Sequence, residues 1–126
     1  MTRESVVLWA AVGLAGGLGA ASRFLLDRLI SSRMAARLPL GTLVVNVSGS
    51  FVAGVVVGLA VGGTVGDELR TVVAGGYLGA YTTFSTAMYE TARLLEEGDR
   101  RIAVVNLLTP LALSVVAALA GWWLVA

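Results

Sequence analysis

Asparagine, serine and threonine carry most of the chemistry available to this 126-residue chain, because it contains neither histidine nor cysteine. Without imidazole there is no histidine base, metal ligand or proton switch. Without thiols there is no disulfide, thiolate nucleophile or thiolate metal site, and the redox compartment is unreadable. What remains inside the apolar stretches is neutral and polar. The carboxamide of Asn46 can donate two hydrogen bonds without carrying charge. It reads either as a clamp between helices or as a donor to a ligand. Ser50 lies one turn further on and can bond its own backbone or join Asn46.

The densest cluster runs from Gly75 to Thr86. Three glycines followed by Thr82 and Thr83 are poor helix material, and the reading places a break near Gly79. A break at membrane depth frees carbonyls that protein, water or an ion must satisfy. With no carboxylate at that depth, a cation there would be held by neutral oxygens, which suits a hard ion such as Na⁺. Phe84 stands between Thr83 and Ser85. Its ring edge carries partial positive charge against which a small anion can lie; in isolation such a ring reads as packing. On the last apolar run Asn106, Pro110 and Ser114 recur every fourth residue, and Pro110 leaves the Asn106 carbonyl free. They form either a second polar track or a satisfied kink. Arg23 closes the first run, either snorkelling to water or concentrating anions at a mouth. Glu90 pairs with Arg93 or Arg23.

The elements that must position these groups follow from composition. Hydrophobic residues make up 57% of the chain and charged residues 13%, about half the usual charged share of a soluble domain. Four apolar runs, about 5–26, 39–65, 71–95 and 102–125, match four membrane-spanning helices. They leave one transmembrane domain (1–126) with short loops and no room for an enzymatic domain. The first run also has features of a signal peptide, but Glu4 and the glycines argue for a packed helix. Trp122 and Trp123 suit a membrane interface. Small residues recur every fourth position: Asn46, Ser50, Gly54, Gly58 and Gly62; Gly13, Gly17 and Ala21; Gly75 and Gly79. Such ridges let membrane helices approach closely. Gly16, Gly19 and Arg23 share another face of the first helix.

All nine basic residues are arginine, giving a net charge of +1 and no nucleic-acid footprint. Arg3 and Arg70 fall on one side of the membrane. Arg23, Arg28, Arg33, Arg37, Arg93, Arg100 and Arg101 fall on the other. The bias puts both termini outside a cell inner (plasma) membrane.

Three motifs then carry a resemblance. They are Gly16-Gly17-Leu18-Gly19-Ala20 continuing to Arg23-Phe24, Pro39 to Asn46 with Gly49-Ser50-Phe51, and Gly75 to Thr86. On these the sequence resembles the Fluc (CrcB) fluoride ion channel family. The resemblance implies an all-α membrane protein of four transmembrane helices, the third broken near its middle, in an antiparallel dual-topology dimer. It implies a passive, non-enzymatic fluoride channel that relieves fluoride toxicity, with a central structural Na⁺. The family's pore asparagine falls on Asn46, its first pore phenylalanine on Phe84, its vestibule arginine on Arg23 and a fourth-helix hydroxyl on Ser114. Its Na⁺-binding carbonyls fall on Gly79 and Thr82. Thr83 and Ser85 flank the ring as further donors. A second pore phenylalanine is replaced by Ala87, with Met88 or a partner side chain left to fill the space. The arginine bias sits poorly with a symmetric homodimer and raises pairing with an oppositely oriented paralogue. A small multidrug-resistance-type exporter, which needs a carboxylate inside the first helix, and a non-conducting structural subunit are the rival readings.

Overall fold

A computed structural model describes residues 1–34, 36 and 38–126. Arg37, one of the arginines of the charge bias, lies outside the described residues. The described chain is all helical. Helix α1 spans Arg3–Arg33 and α2 spans Leu40–Val61. A third segment follows in pieces: α3 (Asp67–Arg70), a π-helical stretch (Thr71–Leu78), α4 (Gly79–Tyr81) and α5 (Phe84–Glu96). The last helix, α6, spans Arg100–Val125. By length and composition α1, α2 and α6 can each cross a membrane. The third crossing is the bent one.

Local chemistry explains most of the boundaries. Thr2 caps α1 by accepting the Ser5 N–H, and Glu4 complements the positive helix end. The expected loop at Asp27 is helical instead, because no glycine or proline interrupts the chain before Arg33. Helix α2 stops at Gly62, and Gly63 turns the chain with φ +77°. Thr83 caps α5 through its hydroxyl. Pro110 lies inside α6 without ending it. The π-helical stretch has no counterpart in the sequence reading; wide turns of this kind occur mostly as single-turn bulges within α-helices, frequently at functional sites.

Helix α2 packs mainly against α6, and α1 against the π-helical stretch and α4. Glycines make these approaches possible. A Cβ on Gly54 would run into the Ala118 carbonyl of α6, and one on Gly121 into the Phe51 carbonyl of α2. The small-residue ridge of α2 is therefore a packing surface at Gly54 and Gly58. The α1 ridge is not: Gly13 and Gly17 have nothing near their added Cβ positions. Helix α1 instead presents Gly16 and Gly19 to the third segment, with Gly19 directly against the Tyr77 carbonyl. This is the face that also carries Arg23.

Gly54→Val is expected to destabilise the protein by about 2–3 kcal/mol, since α2 and α6 must part to admit the side chain. Gly66→Ala, at an open loop position with nothing within 4 Å, is expected to stay within about 0.5 kcal/mol. Thermal unfolding in detergent compares the two. Outward-facing apolar side chains cover the helices, Trp123 at 78% exposure and Leu14 at 74% among them, as a bilayer or a partner helix requires.

Candidate functional site

The break in the third segment lies at Thr82–Thr83. Thr82 has φ −79° and ψ 156°, and Thr83 has φ −147° and ψ 119°; both are extended. Gly79, where the sequence reading placed the break, keeps helical angles of −60° and −35°. Glycine permits a break but does not impose one. Two β-branched residues favour extended backbone, and a side chain from α2 holds them there.

That side chain is Asn46. Its Nδ2 donates to the Thr83 carbonyl at 2.8 Å, and its Oδ1 accepts the Thr83 N–H at 2.7 Å. One carboxamide thus stands in for both hydrogen bonds that a helix would give this residue. Thr82 closes α4 by donating its hydroxyl to the Leu78 carbonyl at 3.0 Å. Thr83 turns its hydroxyl to the Thr86 N–H at 3.2 Å and opens α5.

These substitutions release two carbonyls. In an unbroken helix the Thr83 N–H would bond the Gly79 carbonyl, and the Thr86 N–H would bond that of Thr82. Here the first goes to Asn46 and the second to the Thr83 hydroxyl. Gly79 and Thr82 are left with carbonyl oxygens free of their helical donors. Between them Ala80 is engaged, accepting Arg23 Nε at 3.3 Å. No group of three or more acidic residues gathers as a metal site among the described residues. A cation at the break would be held by neutral oxygens, with the Arg23 guanidinium on the intervening Ala80 carbonyl.

Beside the break lies a cavity of about 220 Å³. Asn46 and Ser50 line it from α2, Thr83 and Phe84 from the break, and Pro110 and Ser114 from α6. The expected pore residues Asn46, Thr83, Phe84 and Ser114 therefore converge, and Thr82, expected at the cation site, shares their wall. No residue of the lining carries a formal charge. Asn46 spends one Nδ2 hydrogen on Thr83 and keeps the other. Phe84 is 73% exposed in the single chain, so its ring stands at the open side of the cavity. Ala87, at the position of the missing second ring, is 7% exposed and lines the cavity together with Met88.

Other candidates lie elsewhere. Ser85 is exposed, outside this cavity, with its hydroxyl 3.4 Å from that of Thr83. Arg23 sits on the far side of the break, at a smaller cavity of about 50 Å³ that shares Thr83 in its wall. Asn106 leaves the expected track: it is buried and donates to the Thr91 hydroxyl at 2.9 Å, fastening α6 to α5. Glu90 pairs with neither expected arginine. Arg93 binds Glu97 at 3.0 Å, and Glu90 accepts the buried Thr42 hydroxyl at 2.6 Å. A larger opening of about 420 Å³ at this end is lined by Asp27, Thr86 and Glu90 among others.

The sequence reading missed Thr42, although it lies one turn before Asn46 inside a recognised motif. It also missed Tyr81, which reaches the Ser48 hydroxyl at 3.0 Å and stacks on Tyr77. The one-turn spacing of Tyr77 and Tyr81 was the available signal.

Comparison with known proteins places the chain among relatives. The family model described as CrcB-like protein, Camphor Resistance (CrcB), matches residues 10–122. The chain is 45% identical over 114 residues to "Fluoride-specific ion channel FluC 1" of Leifsonia xyli subsp. xyli, covering 90% of this chain and 83% of that one. It is 41% identical over 124 residues to "Fluoride-specific ion channel FluC 2" of Mycobacterium tuberculosis, covering 98% and 94%. To "Fluoride-specific ion channel FluC 1" of Symbiobacterium thermophilum it is 40% identical over 115 residues, covering 90% and 93%.

Proposed function

Since this chain belongs to the CrcB family, a family of ion channels and not of enzymes, we propose that it is a passive, fluoride-selective channel. The observation that carries the reading is the uncharged cavity at the break, where Asn46, Thr83, Phe84 and Ser114 meet.

Fluoride is small and strongly hydrated, so a path for it must replace water with donors. The remaining Asn46 N–H, the hydroxyls of Ser50 and Ser114 and the ring edge of Phe84 are such donors. None carries a full positive charge that would trap the ion. Conduction needs binding firm enough to admit an ion and weak enough to release it, and neutral donors fit that requirement better than an arginine in the path. Ser85 and Arg23 act at the margins of this path, Ser85 on the exposed side of the ring and Arg23 beyond the break.

The proposal includes a partner. An open cavity with a largely exposed Phe84 would leave an ion facing lipid, and a second subunit completes the wall. We assign that role to an antiparallel copy of this chain or to an oppositely oriented paralogue. A structural Na⁺ between the subunits fits the freed carbonyls of Gly79 and Thr82, whose neutral donor set suits a hard cation. It would supply fixed positive charge near the anion path and lower the cost of an anion in a low-dielectric bundle.

The chain then lies in the cell's inner (plasma) membrane, multi-pass. The arginine bias favours both termini outside, and dual topology would need copies inserted against it. The physiological role is relief of fluoride toxicity. Neutral HF crosses the bilayer and dissociates at cytoplasmic pH, and a passive anion path lets the ion leave.

Expression in bacteria lacking their own fluoride exporter tests this. The chain alone is expected to restore growth on millimolar fluoride and to cross-link as a dimer. Monomers without rescue, with both restored by a co-expressed paralogue, would assign the heterodimer. Dimers in the membrane without rescue would contradict the channel reading.

A further inference from the structure

Asn46 faces the cavity, yet its strongest contacts are with the backbone of the break. The N–H it takes from Thr83 is the one that would otherwise close onto the Gly79 carbonyl. We infer that Asn46 is a positioning residue for the cation site as well as a donor in the anion path, and that its Oδ1 keeps the Gly79 carbonyl open by holding the Thr83 N–H. The inference rests on the sodium reading above and assigns to one side chain a role on both sides of the break.

Two acceptors compete for one donor. A backbone N–H buried among helices must be satisfied. Thr83 has two acceptors within reach of its chain geometry: the Gly79 carbonyl, through a continued helix, and Asn46 Oδ1. The structure takes the second at 2.7 Å. The Asn46 Nδ2 bond to the Thr83 carbonyl fixes the carboxamide in the matching orientation at 2.8 Å. Arg23, from α1, occupies the Ala80 carbonyl, so the oxygens left without helical donors at the break are those of Gly79, Tyr81 and Thr82. Gly49, one turn beyond Val45 on α2, leaves no room for a Cβ beside Thr82 Cγ2 and the Tyr81 ring, and this close approach brings Asn46 within reach. Remove the acceptor and the Thr83 N–H returns to Gly79, which withdraws that oxygen from a cation. Any change in the carboxamide's hold then alters both sites, and sodium and fluoride binding become thermodynamically linked.

Two substitutions separate this role from that of a simple pore donor. Asn46→Asp keeps an acceptor for the Thr83 N–H; Asn46→Leu is close in size and keeps none. The readout is the rise in thermal unfolding temperature of the purified dimer as NaCl replaces choline chloride at constant ionic strength. The unaltered protein is expected to be stabilised by Na⁺. Asn46→Leu is expected to need about tenfold more Na⁺ or to lose the response, the loss of one hydrogen-bonded arrangement. Asn46→Asp is expected to stay within about threefold of the unaltered protein, though its fluoride flux falls about a thousandfold. Loss of the sodium response in both variants, or in neither, would overturn the inference.

Should Asn46→Leu fail to assemble, hydrogen exchange at the Thr83 amide of the unaltered protein decides. It is expected to be protected like a helix interior although its backbone is extended. Exchange at the rate of an unstructured amide would overturn the hold by Asn46. Absence of any sodium response in the unaltered protein would instead refute the sodium reading, and with it the inferred cation role, while protection at Thr83 would still report the clamp.

Discussion

Fluoride flux through the Asn46→Asp variant is expected to fall about a thousandfold, with dimers still formed. The substitution changes one N–H donor into a charged oxygen at nearly constant shape. An anion about 4 Å away would meet repulsion of about 4 kcal/mol at an effective dielectric of 20, and each 1.4 kcal/mol is a factor of ten in rate. The Thr83 carbonyl also loses the donor that Nδ2 supplies at 2.8 Å. Its N–H at 2.7 Å keeps an acceptor, while the second carboxylate oxygen, with no proton to offer, turns away from the carbonyl. Single-channel or liposome flux, read beside gel-filtration of the same preparation, separates lost conduction from lost assembly. Wild-type flux in this variant would remove Asn46 from the path.

Phe84→Ile is the second large effect. Isoleucine keeps apolar bulk but has no quadrupole, so the partial positive edge disappears. By analogy with the strength of ion–ring contacts in partly desolvated sites, about 1–2 kcal/mol, flux is expected to drop about tenfold or more. Stability is expected to stay within about 0.5 kcal/mol in the single chain, because Phe84 is 73% exposed there. Phe84→Tyr, which keeps the ring, is expected to retain far more flux than Phe84→Ile. Equal loss in both would assign the effect to shape and not to the ring edge.

The parts of this molecule that follow short-range rules were readable from sequence. Apolar length located the helices, and small residues four apart located the α2 surface that meets α6 at Gly54 and Gly58. The motif residues Asn46, Thr83 and Phe84, and the fourth-helix hydroxyl Ser114, stand out by residue type in the sequence and line one cavity in the structure. What escaped was the outcome of competition between distant groups. Glycine content pointed to Gly79 as the break, but a carboxamide thirty-seven positions away in sequence settled it at Thr82–Thr83. Periodicity put Asn106 on a track with Ser114, yet a buried hydroxyl on α5 turned it into a fastening. Glu90 had two arginines to choose from on charge alone and took a threonine hydroxyl from α2. The ridge at Gly13 and Gly17 has the right spacing for packing, yet among the described residues nothing lies within 4 Å of a Cβ added there. In each case the partner sits on another helix, and the local pattern holds no record of it.

The missing histidines and cysteines also take a sharper meaning. A path built from an amide, hydroxyls and a ring edge has no group that titrates near neutrality. Its conduction is expected to be insensitive to proton concentration around pH 7, apart from the conversion of fluoride to HF at low pH. That property separates a passive pore from a proton-coupled exporter.

The uncharged cavity is expected to conduct fluoride and to exclude larger halides. Purified dimers in liposomes loaded with equal fluoride and chloride provide the test, with valinomycin clamping the potential and ion-selective electrodes reading both anions. Rapid passive fluoride release with chloride retained is expected. Equal release of both ions, or no fluoride release from verified dimers, would contradict it.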